Sequence, residues 1–323
     1  MGCARGLWFV APRRVEIRST AVRSLEGDEV LLRTIYSGIS TGTELLAYRG
    51  QIDPELPLDE TIGSLGGTFR YPFQYGYSCV AVVEETHSEL RRGDVVFAFH
   101  PHEDLFLAAA DDVIPLGSAH AREATLFPYV ETALQITLDA GAVLGDTVVV
   151  FGLGVVGVLT SLLLQRAGAR VVAVEPQAER REVAASIGIL VVAAPDDEAD
   201  PAPFVIESSG NPDALAQALP LLAHEGTVLV ASWYGTKPVT LHLGQEFHRR
   251  RLTLRSTQVS TIPARLTERW DVLRRRREAV TLLDELPLNA LASHTFAFEE
   301  AADAYGALDA GEPGLIHAAL RYA

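Results

Sequence analysis

The sequence predicts an α/β protein in two parts. One is an all-β, barrel-like module over residues 1–125; the other is a parallel, doubly wound sheet over 126–284, followed by a tail, 285–323, that returns to β-like segments. Three observations predict it. Before residue 125, short β-rich runs are separated by turn residues; after it, apolar strands alternate with helix-length segments; and a glycine-rich turn joins the first such strand to the first such helix.

In chain order, 7–17 reads as the first strand, followed by β-branched runs at 30–36, 80–84, 95–98 and 113–116. Glycines punctuate them, as in Gly63-Ser64-Leu65-Gly66-Gly67. Beyond residue 125, the run 147–151 is Val-rich and 155–167 has the length of a helix. Strands follow at 170–175, 204–207, 226–231 and 252–259, with a helix at 212–222. Near-continuous apolar runs of this kind suit strands buried on both faces of a parallel sheet. Residues 263–283 read as helical, and 194–203 as a surface loop. The tail returns to β-like segments at 292–298 and 316–322, around a helix at 299–310.

At 323 residues the chain suits two domains, and 48% hydrophobic with 21% charged residues excludes global disorder. A formal charge of −15 repels a phosphate backbone, so no nucleic-acid partner is expected. Cys3 and Cys79 are too few for a disulfide framework or a Cys-rich zinc site. Glycines interrupt the apolar stretches at 148–150 and 155–164, so no membrane span is expected and the protein reads as cytoplasmic.

The strongest motif is Gly152-Leu153-Gly154-Val155-Val156-Gly157. It follows a strand and opens a helix, as a dinucleotide-binding fingerprint must. The first glycine allows a tight turn, the second lets backbone approach a diphosphate, and the third lets helix and sheet pack closely. Free N–H groups at the helix amino end complete the anion site, with Val155 and Val156 in its first turn. Glu175 ends the next strand, where a carboxylate grips the adenosine ribose and repels a 2′-phosphate. NAD(H) is therefore preferred, with NADP(H) the alternative if Arg180 or Arg181 meets a phosphate.

Further segments carry a resemblance: Ser37-Gly38-Ile39-Ser40-Thr41-Gly42-Thr43-Glu44, Tyr75-Gly76-Tyr77-Ser78, Arg91-Arg92-Gly93-Asp94-Val95-Val96, Glu131-Thr132-Ala133-Leu134 and Ser232-Trp233-Tyr234-Gly235. With the fingerprint, they make the whole chain resemble the medium-chain dehydrogenase/reductase superfamily. The resemblance implies a GroES-like β-barrel catalytic domain over 1–125, completed by 285–323, plus a Rossmann doubly wound parallel sheet over 126–284, with the active site in the cleft between them. The sequence departs from the zinc alcohol dehydrogenases of that superfamily at each metal position. Ser40 stands where they have a cysteine, Tyr77 and Ser78 stand where they have His-Glu, and their cysteine-rich structural lobe is missing. It is more similar to a zinc-lacking branch that includes bacteriochlorophyllide dehydrogenases, and no zinc is expected.

Hydride transfer to a carbonyl builds charge on oxygen that a donor must meet. Without a metal, the candidates are Tyr77, Thr43 and Ser40, with Glu131 as base or relay; the resemblance equates Thr43 with the hydroxyl that relays the alcohol proton in the zinc enzymes. Glu44 reads as structural. His100-Pro101-His102-Glu103 could contact substrate, bind a metal or form a solvated loop. Ser208 and Ser232 end strands on the side where open α/β sheets bind ligands, and with Thr132 and Trp233 they are candidate cofactor contacts. Ser78, Tyr234, Trp233 and His248 are candidate substrate contacts, and Arg274–Arg277 reads as a solvent face.

These features predict a zinc-independent NAD(P)(H)-dependent oxidoreductase that interconverts a secondary alcohol and a ketone on a small hydroxylated substrate. The rivals are reduction of an activated C=C bond and a non-catalytic NAD(H)-binding protein. An exposed last strand at 252–259 predicts a homodimer.

Overall fold

The structure, a computed structural model, describes every residue except Met1, Ser118, Ala119, Asp197 and Ala199. It divides into two compact units, 1–128 with 280–323, and 129–279.

The first unit begins with β1 (Gly2–Ala11) and β2 (Arg14–Val22), paired antiparallel. The single strand expected at 7–17 is thus a hairpin. Pro12 has no N–H to extend a ladder, and Arg13 takes a left-handed φ of 58°, reversing the chain. Next come β3 (Glu29–Ile39), α1 (Thr43–Arg49), β4 (Phe73–Gln74), β5 (Cys79–Thr86), β6 (Val95–Ala98), β7 (Leu105–Ala109) and β8 (Val113–Pro115).

In the second unit, α2 (Phe127–Ala140) leads into β9 (Thr147–Phe151), α3 (Val155–Arg166), β10 (Arg170–Val174), α4 (Ala178–Ser186) and β11 (Leu190–Val192). It continues through β12 (Ala202–Glu207), α5 (Pro212–Ala218), β13 (Leu222–Val230), α6 (Glu246–Arg249), β14 (Thr253–Ser256) and α7 (Val272–Glu285). The six strands form a parallel sheet in the order β11-β10-β9-β12-β13-β14. In the central strand β9, Val148 and Val150 are buried on one face and Phe151 on the other, which is why this strand reads as an unbroken apolar run. The sequence places β12, β9 and β10 to within two residues. Two readings change. The segment 263–283 is not one helix: α7 starts at Val272, where the Asp271 carboxylate accepts the Arg274 N–H at 2.6 Å and caps it. The edge strand β14 is four residues long rather than eight. Asp197 and Ala199, in the expected loop 194–203, lie outside the described residues.

The chain then completes the first unit with β15 (His294–Ala297), α8 (Ala301–Ala310) and β16 (Ala318–Arg321). β16 pairs antiparallel with β3, in the register Ala318↔Ile39, within a sheet ordered β15-β16-β3-β5-β6-β8, with β7 also on β3. A second sheet, β2-β1-β4, packs an aromatic core in which Phe9 stacks on Phe73 at 5.2 Å and meets Tyr305 edge-on at 5.4 Å. This packing anchors α8 beside the amino-terminal strands. Among the described residues, no helix is long and apolar enough to cross a membrane.

Candidate active site and dinucleotide fingerprint

In the second unit the glycine-rich turn leaves the end of β9. Gly152 has φ +86°, and a Cβ there would lie 2.5 Å from Ser209 Cα. A Cβ on Gly157 would lie 1.8 Å from the Gly152 carbonyl oxygen, so α3 can approach the sheet only because that side chain is absent. A Cβ on Gly154 would meet nothing within 4 Å. Gly154 is also the N-cap of α3 and supplies no side-chain cap, and the first turn carries no acidic residue. Val155 is buried and Val156 half-buried in that turn. Open space beside uncapped N–H groups fits the diphosphate of a dinucleotide.

Glu175 follows β10 and is buried. One carboxylate oxygen accepts the Leu153 N–H at 2.8 Å, and the other accepts the Gln177 N–H at 2.9 Å. Arg180 approaches it at 4.0 Å, while Arg181 is committed to the carbonyls of Glu175 and Pro176. Ser208 donates to the carbonyls of Phe151 and Gly152 and so braces the turn. Ser232 accepts the Gly210 N–H at 2.8 Å. Tyr234 donates to the buried Glu207 carboxylate at 2.5 Å; burial and that charge hold its phenol far above the ordinary range. Trp233 is 42% exposed, His248 is exposed on α6, and Thr132 is half-buried on α2.

Glu131 requires a correction. It is buried in an ion pair with Arg275 at 3.0 Å, with Arg276 at 3.7 Å. Arg275 also donates to Gln135 at 2.6 Å. Burial raises the Glu131 pKa against the pull of both guanidiniums. A carboxylate held this way ties α2 to α7 and is not free to act as a catalytic base. The run expected to be a solvent face therefore turns one arginine, Arg275, into the core.

In the first unit the structure brings Ser40, Thr43 and Tyr77 together. Ser40 follows β3, Thr43 opens α1, and Tyr77 precedes β5. Ser40 Oγ accepts the Tyr77 hydroxyl at 2.7 Å and the Thr43 N–H at 3.3 Å. Burial and the charge of Glu44 push the Tyr77 phenol up to about 12, against hydrogen bonds with Ser40 and Thr43 that pull it down. Tyr77 is therefore a neutral donor at any ordinary pH.

Two substrate candidates are overturned by burial. Ser78 is fully buried and donates to the Thr125 carbonyl at 2.7 Å. His102 is fully buried, with one ring nitrogen 2.8 Å from Glu44 and the other 2.7 Å from Ser37. His100 stacks on Phe106 with centroids 3.7 Å apart, and burial lowers its pKa to about 4. The residues that sequence reasoning missed are Ser37, Tyr305 and Tyr322, which join His102 and Glu44 in one network. Their only sequence signal is the charged Glu44 beside the apolar Leu45-Leu46-Ala47.

A zinc ion needs nitrogen, sulfur or carboxylate donors in a tetrahedral set. Ser40, Thr43 and Tyr77 offer hydroxyls, and the nearby Glu44 and His102 are spent on each other. These residues do not fit the metal. Among the described residues, no group of three or more His, Cys, Asp or Glu could hold a metal ion.

The family model for zinc-binding dehydrogenases matches residues 155–275. The chain is 28% identical over 271 residues to D-guloside 3-dehydrogenase of Escherichia coli K12, covering 74% of this chain and 76% of that protein. It is 27% identical over 317 residues to 2-desacetyl-2-hydroxyethyl bacteriochlorophyllide A dehydrogenase of Cereibacter sphaeroides, covering 91% of each. An alcohol dehydrogenase from Escherichia coli CFT073, solved with NADH, shares the fold with a TM-score of 0.79 at 15% identity, over 99% of each chain. The fold is the one these dehydrogenases share, built from a barrel unit and a dinucleotide-binding unit. These matches support the resemblance to the medium-chain dehydrogenase/reductase superfamily and the reading of the chain as an oxidoreductase.

Proposed function

We propose that this enzyme interconverts a secondary alcohol and a ketone with NAD(H), without zinc, on a small hydroxylated substrate. The observation that carries this reading is the Tyr77–Ser40 hydroxyl pair, 2.7 Å apart, where zinc ligands stand in related enzymes. Bound nicotinamide supplies or accepts the hydride. Ser40 is buried and its Oγ accepts two hydrogen bonds, whereas Tyr77 is half-buried, so the Tyr77 hydroxyl is the acid a substrate oxygen would meet and Ser40 is its partner. A phenol with a pKa near 12 suits donation to a forming alkoxide better than abstraction from an alcohol, which favours the reductive direction. The names of the two relatives specify attack at position 3 of a guloside and a hydroxyethyl substituent, which supports an alcohol rather than a C=C bond.

Gly152, Gly154 and Gly157 would admit the diphosphate, and Glu175 would meet the adenosine ribose, which favours NAD(H) over NADP(H). We also propose a homodimer joined through β14. The test of the reaction is nicotinamide absorbance with panels of alcohols, ketones and enones, read beside elemental analysis. Turnover on alcohols or ketones by protein holding no stoichiometric zinc is expected. Activity that tracks one tightly held zinc per chain, or turnover of enones alone, would overturn the reading.

A further inference from the structure

Behind the hydroxyl pair lies a polar network sealed in the core of the first unit. Glu44, His102, Tyr305 and Ser37 are all fully buried. One Glu44 oxygen accepts the Ser40 backbone N–H at 2.8 Å. The other lies 2.8 Å from His102 Nε2 and also accepts the Tyr305 hydroxyl. His102 Nδ1 lies 2.7 Å from Ser37 Oγ, which is 2.9 Å from the Tyr322 hydroxyl. With Glu44 as a carboxylate and His102 neutral, each group is satisfied: Nε2–H donates to Glu44, and Tyr322 donates to Ser37, which donates to Nδ1.

The same two residues grip both halves of the hydroxyl pair. Glu44 holds Ser40 through its backbone. His102 lies under the residue preceding Tyr77: Gly76 has φ +124°, and a Cβ there would stand 2.7 Å from the imidazole ring. The loop carrying His102 is fixed in turn, since its carbonyl accepts the Leu7 N–H at 2.8 Å. A buried ion pair or its neutral equivalent contributes little to stability against an apolar replacement, so its placement behind a reactive pair calls for another role.

We propose that Glu44 and His102 are positioning residues. Their hydrogen bond, closed by Tyr305, sets the separation of the Ser40 and Tyr77 hydroxyls. The network is not a proton relay, because its link to Ser40 is an amide N–H, which holds a geometry but passes no proton. This inference rests on the reading of Ser40 and Tyr77 as the reacting hydroxyls.

The test labels the tyrosines with 13C at the ζ carbon and follows Tyr77 by NMR without substrate, with Tyr77→Phe giving the assignment. His102→Phe and Glu44→Gln should broaden or split the Tyr77 resonance, while NADH affinity stays within about twofold. Tyr305→Phe removes a single hydroxyl and serves if the other variants fail to fold; it should move the Tyr77 resonance in the same direction. On any substrate turned over, His102→Phe should lower kcat by about 10-fold or more, and add little in a Tyr77→Phe background. A Tyr77 resonance unmoved in every folded variant, or kcat losses that simply multiply with Tyr77→Phe, would overturn the positioning role. A moved resonance combined with full turnover by Tyr77→Phe would uphold the positioning and sink the proposed catalytic pair instead.

Discussion

Tyr77 and Glu175 are the two residues whose chemistry can be tested by single substitutions. Tyr77→Phe keeps the ring and its packing and removes one hydroxyl. Positioned acids contribute about 10²–10⁴-fold, so turnover should drop by that order with NADH affinity unchanged, measured by steady-state kinetics and fluorescence titration. Burial, Glu44 and Asp59 keep the phenol protonated up to about pH 12. The wild-type reductive rate should therefore show no alkaline loss from this group between about pH 7 and 10. Glu175 binds two backbone N–H groups with the carboxylate that would also face the ribose. Glu175→Ala should weaken NADH binding and relax discrimination against NADPH by one to two decades, or about 1–3 kcal/mol. Wild-type protein that binds NADPH more tightly than NADH would assign the adenosine end to Arg180 instead.

At the scale of elements, β14 ends the parallel sheet and pairs with β13. Thr257 N–H donates back to Val230, so by strand alternation residues 253 and 255 face β13 while Leu254 and Ser256 aim their N–H groups outward. An open edge of this kind invites a two-fold partner. Light scattering should report a dimer at micromolar concentration, and Ser256→Pro, which removes an outward donor without touching the β13 ladder, should shift it toward monomer. A wild-type monomer would refute this. The elements of the second unit were legible because glycines stand at their junctions and β-branched residues fill their strands. The amino-terminal hairpin was not, since Phe9, Val15 and Ile17 keep an apolar rhythm across Pro12. The hydroxyl pair was legible only through the family motif, by the residues standing where ligands belong. The network behind it was not, because Glu44 meets His102 and Tyr305 across separations of 58 and 261 residues.

For the whole molecule, the buried imidazoles set how the fold responds to acid. His317 is fully buried, 3.0 Å from the Thr125 hydroxyl, and its pKa falls to about 3 through burial and then the charge of Arg122. His100 falls to about 4. Unfolded histidines take up protons near pH 6.5, so between that value and about 4 the unfolded chain binds more protons than the folded one. Stability is then complete above about pH 6.5 and declines as the pH drops, by up to about 1.4 kcal/mol per pH unit for each such group. Carboxylates with lowered values, such as Asp309 beside Arg49 and Arg13, lose their contribution only below about pH 4. Loss of part of the −15 charge would relieve repulsion, but it too begins where carboxylates titrate. Glu131 and Glu103, whose values burial raises, oppose the histidines in this range, so the histidine contribution to the urea midpoint between pH 6.5 and 4.5 is read as the difference between wild type and a variant. His317→Gln keeps a donor toward Thr125 and binds no proton, so it should cut that contribution by up to about half. Superimposable acid profiles for wild type and variant would show that His317 takes up its proton in the folded state at no cost, and that burial does not control it.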